Sequence, residues 1–274
     1  MGNDRKYRML FLNDEFRSML RSGDPFDQLS AIEGRIFREV KGRKTLQFNL
    51  NGHSFFVKLH HGVGWREVFK NLFQLKMPIL GAENEWQAIA KLKALGVDTM
   101  KSVAYGSRGW NPAKRQSFIV TEDLIETISL EDYCKSWKQS KPKFREKKQL
   151  IEKVAEISQL LHNGGVCHRD FYLCHFLLHQ DKPNSDLDNT PKLSLIDLHR
   201  ALIKRNLGQR WIVKDVAGLY FSAMDIGLTK ADQLRFIRCY SKLDLRSALK
   251  DDGMFWTTVK NRAELMYKKL GSSN

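Results

Sequence analysis

The strand-like residues on either side of Asn51-Gly52 constrain the fold of this chain more than any other feature. Apolar residues alternate strictly over residues 45–50, and a second strand-like segment follows over 54–59. Asn-Gly is the strongest short hairpin signal, because both residues accept a positive φ. A third apolar segment precedes this pair, so residues 35–60 are predicted to form three antiparallel strands.

Helical and extended patterns follow in a definite order. Apolar residues at helical spacing predict a helix over residues 83–95, which Gly96 ends. Two further strands are predicted at 103–106 and 117–121, and a long amphipathic helix at 144–163. The predicted fold is therefore α+β, with a sheet-rich part followed by a helical part.

This order predicts three segments in a chain of 274 residues. Residues 1–34 are an N-terminal extension, residues 35–124 an N-lobe, and residues 125–274 a larger helical C-lobe. The loop over 122–126 is the predicted hinge.

Charge and composition narrow the classes of function. Lys and Arg number 46 against 31 Asp and Glu, which gives a formal net charge of +15. Such a charge attracts polyanions, so nucleic acid, an anionic membrane or an acidic substrate would fit, and a merely solvated basic surface is the alternative. No apolar run is long enough to span a bilayer or to form a secretory signal. The four cysteines form no C-x-x-C pair, which favours a reducing cytoplasm.

The strongest chemical signal is His168-Arg169-Asp170, directly after the long predicted helix. It matches the H-R-D signature of the catalytic loop in protein kinases. A later apolar run ends in Asp197, where such enzymes hold magnesium. Phosphoryl transfer requires one carboxylate to accept a hydroxyl proton and another to hold the metal. Asp170 is therefore the predicted general base and Asp197 the predicted Mg²⁺ ligand, against the alternatives of a turn residue and a strand cap.

Lys58 stands between apolar residues in the third predicted strand. A lysine buried there without a partner would be costly. It is predicted to contact the phosphates of ATP and to pair with a carboxylate at the start of the next helix, Glu85 in preference to Glu83. A solvent-facing lysine on an edge strand is the alternative.

The chain resembles the lipopolysaccharide core heptose kinases of Gram-negative bacteria, within the family that also contains the Kdo kinases. The resemblance runs from about residue 30 onward. Its matching segments are residues 55–58, 77–82, 85–86, 96–100, 121–124, 129–134, 168–170, 174–178, 196–201 and 218–222.

The resemblance implies a protein-kinase-like two-lobed fold and ATP-dependent phosphorylation of the first heptose of the inner core, at the cytoplasmic face of the inner membrane. ATP and Mg²⁺ are the implied cofactors. The implied partners are a lipid-anchored inner-core oligosaccharide and the acidic acyl carrier protein. Alternatives are a kinase for another core sugar or a protein hydroxyl, and a non-enzymatic basic binding module. No nucleic-acid partner is expected, because the tryptophans among basic residues form no known recognition pattern.

Two departures from the protein-kinase pattern affect the predicted site. His175 stands where protein kinases have a metal-binding asparagine, as it does in the resembling family. It is a predicted metal-site residue, with a packed structural histidine as the alternative, because imidazole suits Mg²⁺ less well than an amide oxygen. The Gly-rich loop is missing, and the turn Lys41-Gly42-Arg43 is predicted to cover the phosphates by charge, unless it is simply solvated.

Weaker predictions concern the surroundings of the site. The backbone of Glu122 and Leu124 is expected to contact adenine. Asp215 is expected to begin a helix that braces the catalytic loop, and His199 and Arg200 to face the substrates or form a polar network. The basic clusters at 41–44 and 138–148 fit anionic lipid head groups, although such clusters are more often solvated surface.

Overall fold

The computed structural model describes residues 7–40, 42–62, 81–111, 114–180 and 190–271. The chain forms two compact units. The first comprises Met1–Ala90 and Met100–Ile125, and the second comprises Lys91–Thr99 and Glu126–Asn274.

A six-stranded antiparallel sheet dominates the described part of the first unit. Its spatial order is β1-β5-β6-β4-β3-β2. The strands are β1 (Met9–Leu12), β2 (Arg35–Val40), β3 (Arg43–Leu50), β4 (His53–His61), β5 (Ser102–Arg108) and β6 (Gln116–Glu122). The predicted hairpin is confirmed, because Asn51 and Gly52 both have positive φ and Leu50 pairs with His53.

Three helices accompany this sheet: α1 (Asp14–Met19), α2 (Pro25–Ala31) and α3 (Glu83–Ala94). Asn13 caps α1 by accepting a hydrogen bond from the Phe16 amide, and Asp24 caps α2. Phe16 and Phe26 are buried in the same core as Val57 of β4. The residues before β2 are thus integrated into the sheet unit, through β1 at its edge and through this shared core.

The described part of the second unit is mainly helical. Its helices are α4 (Leu130–Cys134), α5 (Phe144–Asn163), α6 (Gln209–Ser222), α7 (Lys230–Ser241), α8 (Leu245–Asp251) and α9 (Gly253–Gly271). Its short strands are β7 (Thr127–Ser129), β8 (Val166–Cys167), β9 (Phe176–His179), β10 (Leu193–Leu195) and β11 (Leu202–Ile203). They form a three-stranded sheet in the order β10-β9-β7 and a β11-β8 pair.

Helix α5 leads the chain into the predicted catalytic loop. Its bounds are those that the sequence predicts, and its apolar face is buried at Leu150, Ile157 and Leu161. Gly165 follows with φ of +77°, and a Cβ there would lie 2.0 Å from the carbonyl oxygen of Lys204. Only glycine allows this approach of two backbone segments. No helix within the described ranges is long and apolar enough to cross a membrane.

Candidate active site

Two short strands of the second unit bring the predicted catalytic loop beside Asp197. Strand β9 pairs with β10, so that Phe176 lies opposite Leu195. The Ile196 amide donates to the His175 carbonyl oxygen at 3.0 Å. Asp170 and Asp197 therefore flank segments that are hydrogen-bonded to each other.

His175 contacts both predicted aspartates. Its Nδ1 lies 2.6 Å from the carbonyl oxygen of Asp170, and its Nε2 lies 3.7 Å from Oδ2 of Asp197. A carbonyl oxygen only accepts hydrogen bonds, so Nδ1 carries the proton and Nε2 is the nitrogen that faces Asp197. The structure thus places Asp170, Asp197 and His175 in one cluster.

Asp215 fixes the backbone of the catalytic loop from α6. Its carboxylate accepts hydrogen bonds from the amides of His168, at 2.5 Å, and Arg169, at 2.8 Å. Burial alone would raise the pKa of Asp215, but His162, whose Nε2 lies 3.6 Å from Asp215 Oδ2, holds this pKa below its ordinary value. Asp215 lies in the second turn of α6 rather than at its beginning, and it braces the loop as the sequence predicts.

His168 is fully buried, and its ring supports the loop from inside. Its Nε2 donates to the carbonyl oxygen of Ile196 at 2.9 Å, and its ring stacks on His175 with centroids 5.5 Å apart. Burial lowers the pKa of His168, which keeps the ring neutral. This geometry indicates a positioning role for His168. Arg169 has φ of +73° and directs its guanidinium carbon to 5.6 Å from the Trp211 ring.

Asp197 occupies a left-handed backbone conformation. Its φ of 60° and ψ of 52° lie in a region that few non-glycine residues adopt, although aspartate and asparagine adopt it more readily than most. Its Oδ1 lies 2.6 Å from Nδ1 of His199, while about a third of its side chain is exposed. His199 therefore orients this carboxylate, as a member of a polar network would.

Arg200 forms an ion pair with the predicted base. Its Nη1 lies 2.7 Å from Oδ1 of Asp170. The sequence predicts only that Arg200 faces the substrates or forms part of a polar network. No sequence signal predicts this partner, because the two residues are brought together by the pairing of β9 with β10.

The described residues contain no group of three or more His, Cys, Asp or Glu side chains that could hold a metal ion unaided. A single carboxylate at this site still suits magnesium, because Mg²⁺ is ordinarily held by one or two carboxylates together with substrate phosphates and water. The partly exposed carboxylate of Asp197 has the chemistry of such a ligand.

Lys58 and Glu85 form the predicted pair in the first unit. Lys58 Nζ lies 2.7 Å from Glu85 Oε1, and Glu85 is almost completely buried whereas Glu83 is exposed. Strand β4 lies between β6 and β3, so Lys58 is not on an edge strand. The choice of Glu85 over Glu83 as its partner is confirmed.

The structure describes only some of the other residues that are predicted to contact the nucleotide. Gly42 has φ of +79°, and Arg43 is the first residue of β3. Lys41 lies outside the described residues, and so do residues 77–80, which belong to one of the segments that carry the family resemblance. The Glu122 amide already donates to the Lys101 carbonyl oxygen at 2.9 Å. An adenine contact at Glu122 would therefore have to use another backbone atom.

The second unit also contains an apolar cavity that sequence reasoning missed. Its volume is about 440 Å³. Most of its lining is apolar and comes from α5, α6, α7 and α9, including Leu150, Val154, Leu219, Phe236 and Trp256. These residues are far apart in sequence, so no local pattern predicts the cavity.

Comparisons with known proteins agree with this geometry. Residues 27–240 match the model of the lipopolysaccharide kinase (Kdo/WaaP) family. The chain is 46% identical over 260 residues to the lipopolysaccharide core heptose(I) kinase WaaP of Pseudomonas aeruginosa PAO1, covering 95% of this chain and 96% of that protein. It is 47% identical over 244 residues to the Escherichia coli protein of the same name, covering 89% and 91%.

A solved structure titled "WaaP in complex with acyl carrier protein" superposes with a TM-score of 0.82. It is 43% identical and covers 94% of this chain and 99% of that one. This likeness confirms the predicted protein-kinase-like fold class. The chain belongs to the lipopolysaccharide kinase (Kdo/WaaP) family.

Proposed function

We propose that this chain is an ATP-dependent kinase that phosphorylates the first heptose of the lipopolysaccharide inner core. The observation that carries the proposal is the contact of His175 with both Asp170 and Asp197. It supports one shared site for proton acceptance and for metal-bound phosphate. The heptose as acceptor is supported by the names of the relatives.

Asp170 is the general base of this proposal. The acceptor hydroxyl oxygen bonds to the γ-phosphorus of ATP as the bond to the ADP oxygen breaks, and the hydroxyl proton passes to the Asp170 carboxylate. Arg200 holds one oxygen of that carboxylate, and Asp215 holds the loop backbone just before it. Such positioning is most of what phosphoryl transfer requires of a protein.

Asp197 is the proposed ligand of Mg²⁺, and His175 is a proposed second contact through Nε2. The ion supplies charge neutralisation at the phosphates when it is bound. His199 keeps the Asp197 carboxylate oriented for this purpose, from 2.6 Å.

Lys58 is proposed to contact the phosphates of ATP, while Glu85 orients it. Gly42 and Arg43, with Lys41, are proposed to cover the phosphates, and the backbone at Glu122 and Leu124 to contact adenine. On this proposal residues 35–124 bind the nucleotide and residues 125–274 supply the base and the metal ligand.

Replacing Lys58 is expected to lower both the stability of the protein and its activity. Lys58→Met leaves the buried Glu85 carboxylate without this partner, which costs about 3–5 kcal/mol in the free energy of unfolding. It also removes a cation from the phosphates, so kcat/KM for ATP is expected to fall by roughly 10²-fold. Urea unfolding and steady-state kinetics measure the two effects.

The double variant Lys58→Met/Glu85→Leu is the control. Removing both charges is expected to restore most of the stability, because neutral side chains of similar size replace the pair. Activity should stay as low as in the single variant. Recovery of activity together with stability would contradict the phosphate contact.

Deletion of the gene tests the proposed acceptor. Lipopolysaccharide from the deletion strain should lack phosphate on the first heptose by mass spectrometry, and the purified protein with ATP should restore it. An unchanged phosphate pattern on this heptose would reject the proposal, and phosphate lost from another sugar would identify a different acceptor.

Acyl carrier protein is a proposed partner of this chain. The solved relative forms such a complex, and the net charge of +15 suits an acidic protein. The apolar cavity of the second unit suits an acyl chain that such a carrier delivers. Acyl carrier protein should co-purify with the tagged chain, and its absence from the purified sample at low salt would contradict the partnership.

Peripheral contact with the inner-membrane surface is also proposed, at the segment 138–148. Lys141, Lys143 and Arg145 are exposed there, beside Phe144, whose side chain is 69% exposed. Basic residues next to an exposed aromatic ring suit an anionic lipid surface. Such contact would bring the enzyme to a lipid-anchored acceptor at the cytoplasmic face.

A further inference from the structure

A line of polar contacts leads from the catalytic loop through Asp215 to helix α7. Asp215 Oδ2, which accepts from the His168 amide, also lies 3.6 Å from Nε2 of His162 in α5. The other ring nitrogen of His162, Nδ1, lies 2.8 Å from the hydroxyl oxygen of Tyr240 in α7. Three helices of the second unit thus contribute one residue each, and we call Tyr240, His162 and Asp215 the polar line.

His162 contacts the catalytic loop in two ways. It faces Asp215, which holds the loop backbone, and its ring centroid lies 5.9 Å from that of Phe171, the residue after Asp170. His162, Asp215 and Phe171 are all almost completely buried. Buried polar groups need partners, so the orientation of the His162 ring is set by its contacts rather than by water.

The partners of His162 determine where its ring carries a proton. A carboxylate only accepts hydrogen bonds, whereas a tyrosine hydroxyl can donate or accept. A ring with one proton therefore holds it at Nε2, towards Asp215, and its Nδ1 accepts a hydrogen bond from the Tyr240 hydroxyl. Burial raises the pKa of Tyr240, and the charge of Asp215 raises it further, so the hydroxyl keeps the proton that it donates.

Aromatic contacts hold the Tyr240 ring where its hydroxyl meets His162. The Trp256 ring lies edge-on at a centroid distance of 5.5 Å, and the Phe236 ring stacks at 5.9 Å. Tyr240 packs against the buried core cluster that contains Trp256. A phenylalanine at position 240 can keep these ring contacts, so this substitution isolates the hydroxyl.

Resting on the proposed function, we infer that Tyr240 is a positioning residue for phosphoryl transfer. Its hydroxyl fixes the tautomer and the ring orientation of His162, and His162 fixes the carboxylate of Asp215. That carboxylate holds the two loop amides just before Asp170. The polar line thereby keeps the proposed base in one position, which is most of what this transfer requires.

Steady-state kinetics of Tyr240→Phe test this inference. The kcat is expected to fall about 10-fold, because a small displacement of the base slows transfer steeply. KM for ATP should stay within about twofold of wild type, since the proposed nucleotide contacts are unchanged. Equal kcat values for wild type and Tyr240→Phe would overturn the inference.

Tyr220→Phe is the matched control. Tyr220 packs against the same core cluster as Tyr240, and its hydroxyl accepts from Nε2 of Gln233 at 3.2 Å. Removing this hydroxyl should leave kcat within about twofold, because the polar line is intact. A loss as large as that of Tyr240→Phe would show that any missing hydroxyl in this core slows the enzyme, which contradicts a specific role for Tyr240.

A double variant tests whether Tyr240 acts through His162. His162→Gln removes the imidazole, so adding Tyr240→Phe to it should lower kcat no further. If the two losses multiplied instead, Tyr240 would act by another route and the polar line would be rejected.

Two measurements without substrate separate this inference from the proposed function. Nitrogen NMR of the His162 ring, assigned by its absence from His162→Gln, should show the Nε2–H tautomer in the wild type, and an Nδ1–H ring would contradict the polar line. Amide hydrogen exchange of the catalytic loop should be about fivefold faster in Tyr240→Phe and unchanged in Tyr220→Phe.

The combination of loop exchange with phosphate transfer distinguishes the two possible failures. Faster loop exchange in Tyr240→Phe, with no phosphate transfer by the wild type, would reject the proposed function and leave the positioning of the loop by Tyr240 standing. Normal transfer by the wild type, with unchanged kcat and unchanged loop exchange in Tyr240→Phe, would reject the positioning role alone.

Discussion

Asp170→Asn is expected to reduce kcat by about 10²–10⁴-fold, the scale of a lost general base. The amide has the shape of the carboxylate but cannot take up the hydroxyl proton. Its oxygen can still accept from Arg200, which lies 2.7 Å from Oδ1, so the local structure should persist. Steady-state phosphoryl transfer measures the change, and KM for ATP should stay within about twofold of wild type.

An exposed aspartate supplies the matched control for this substitution. Asp225 accepts a hydrogen bond from the Tyr267 hydroxyl at 2.9 Å, which an asparagine can also accept. Asp225→Asn should therefore leave kcat unchanged. A kcat for Asp170→Asn within tenfold of wild type, in a protein with wild-type thermal stability, would remove Asp170 from the role of base.

Elements with a local cause are the ones that the sequence predicts best. The hairpin at Asn51-Gly52 forms because two adjacent residues accept a positive φ, and nothing distant is needed. Helix α5 has the bounds 144–163 that its apolar periodicity predicts, because its apolar residues recur at helical spacing and Gly164 caps its end. The Lys58–Glu85 pair also follows from a local cost, since a lysine between apolar neighbours requires a carboxylate.

Contacts that depend on tertiary structure could not be predicted. The ion pair of Arg200 with Asp170 requires β9 to pair with β10. The apolar cavity requires several helices that are distant in sequence to meet. Residues 9–31 join the sheet unit because β1 pairs with β5, a strand far along the chain. Pattern and propensity carry no information about such pairings.

For Asp215 the sequence predicts the contact with the loop correctly but not its position in the helix. The sequence predicts that it braces the catalytic loop, and its carboxylate does accept from two loop amides. Its place in the second turn of α6 differs from the predicted helix start, because the helix begins earlier, at Gln209. Helix starts are poorly determined where no side chain caps the first turn, as at Gly208.

Asp197→Asn is expected to lower kcat/KM for ATP by roughly 10³-fold or more, because a metal ligand of this kind contributes several kcal/mol to the transition state. Asparagine is the appropriate substitution, because residue 197 has φ of 60° and asparagine tolerates this conformation. Alanine would add backbone strain to the loss of charge. The effect of Asp197→Asn therefore reports on the charge alone.

The dependence on magnesium distinguishes the two aspartates. An amide oxygen is a weaker, neutral ligand, so Asp197→Asn should require a higher Mg²⁺ concentration for half-maximal activity and should recover part of its activity as Mg²⁺ is raised. Asp170→Asn should keep the wild-type Mg²⁺ dependence, because it removes a proton acceptor and no ligand. If both variants showed the same Mg²⁺ dependence as wild type, Asp197 would not be the metal ligand.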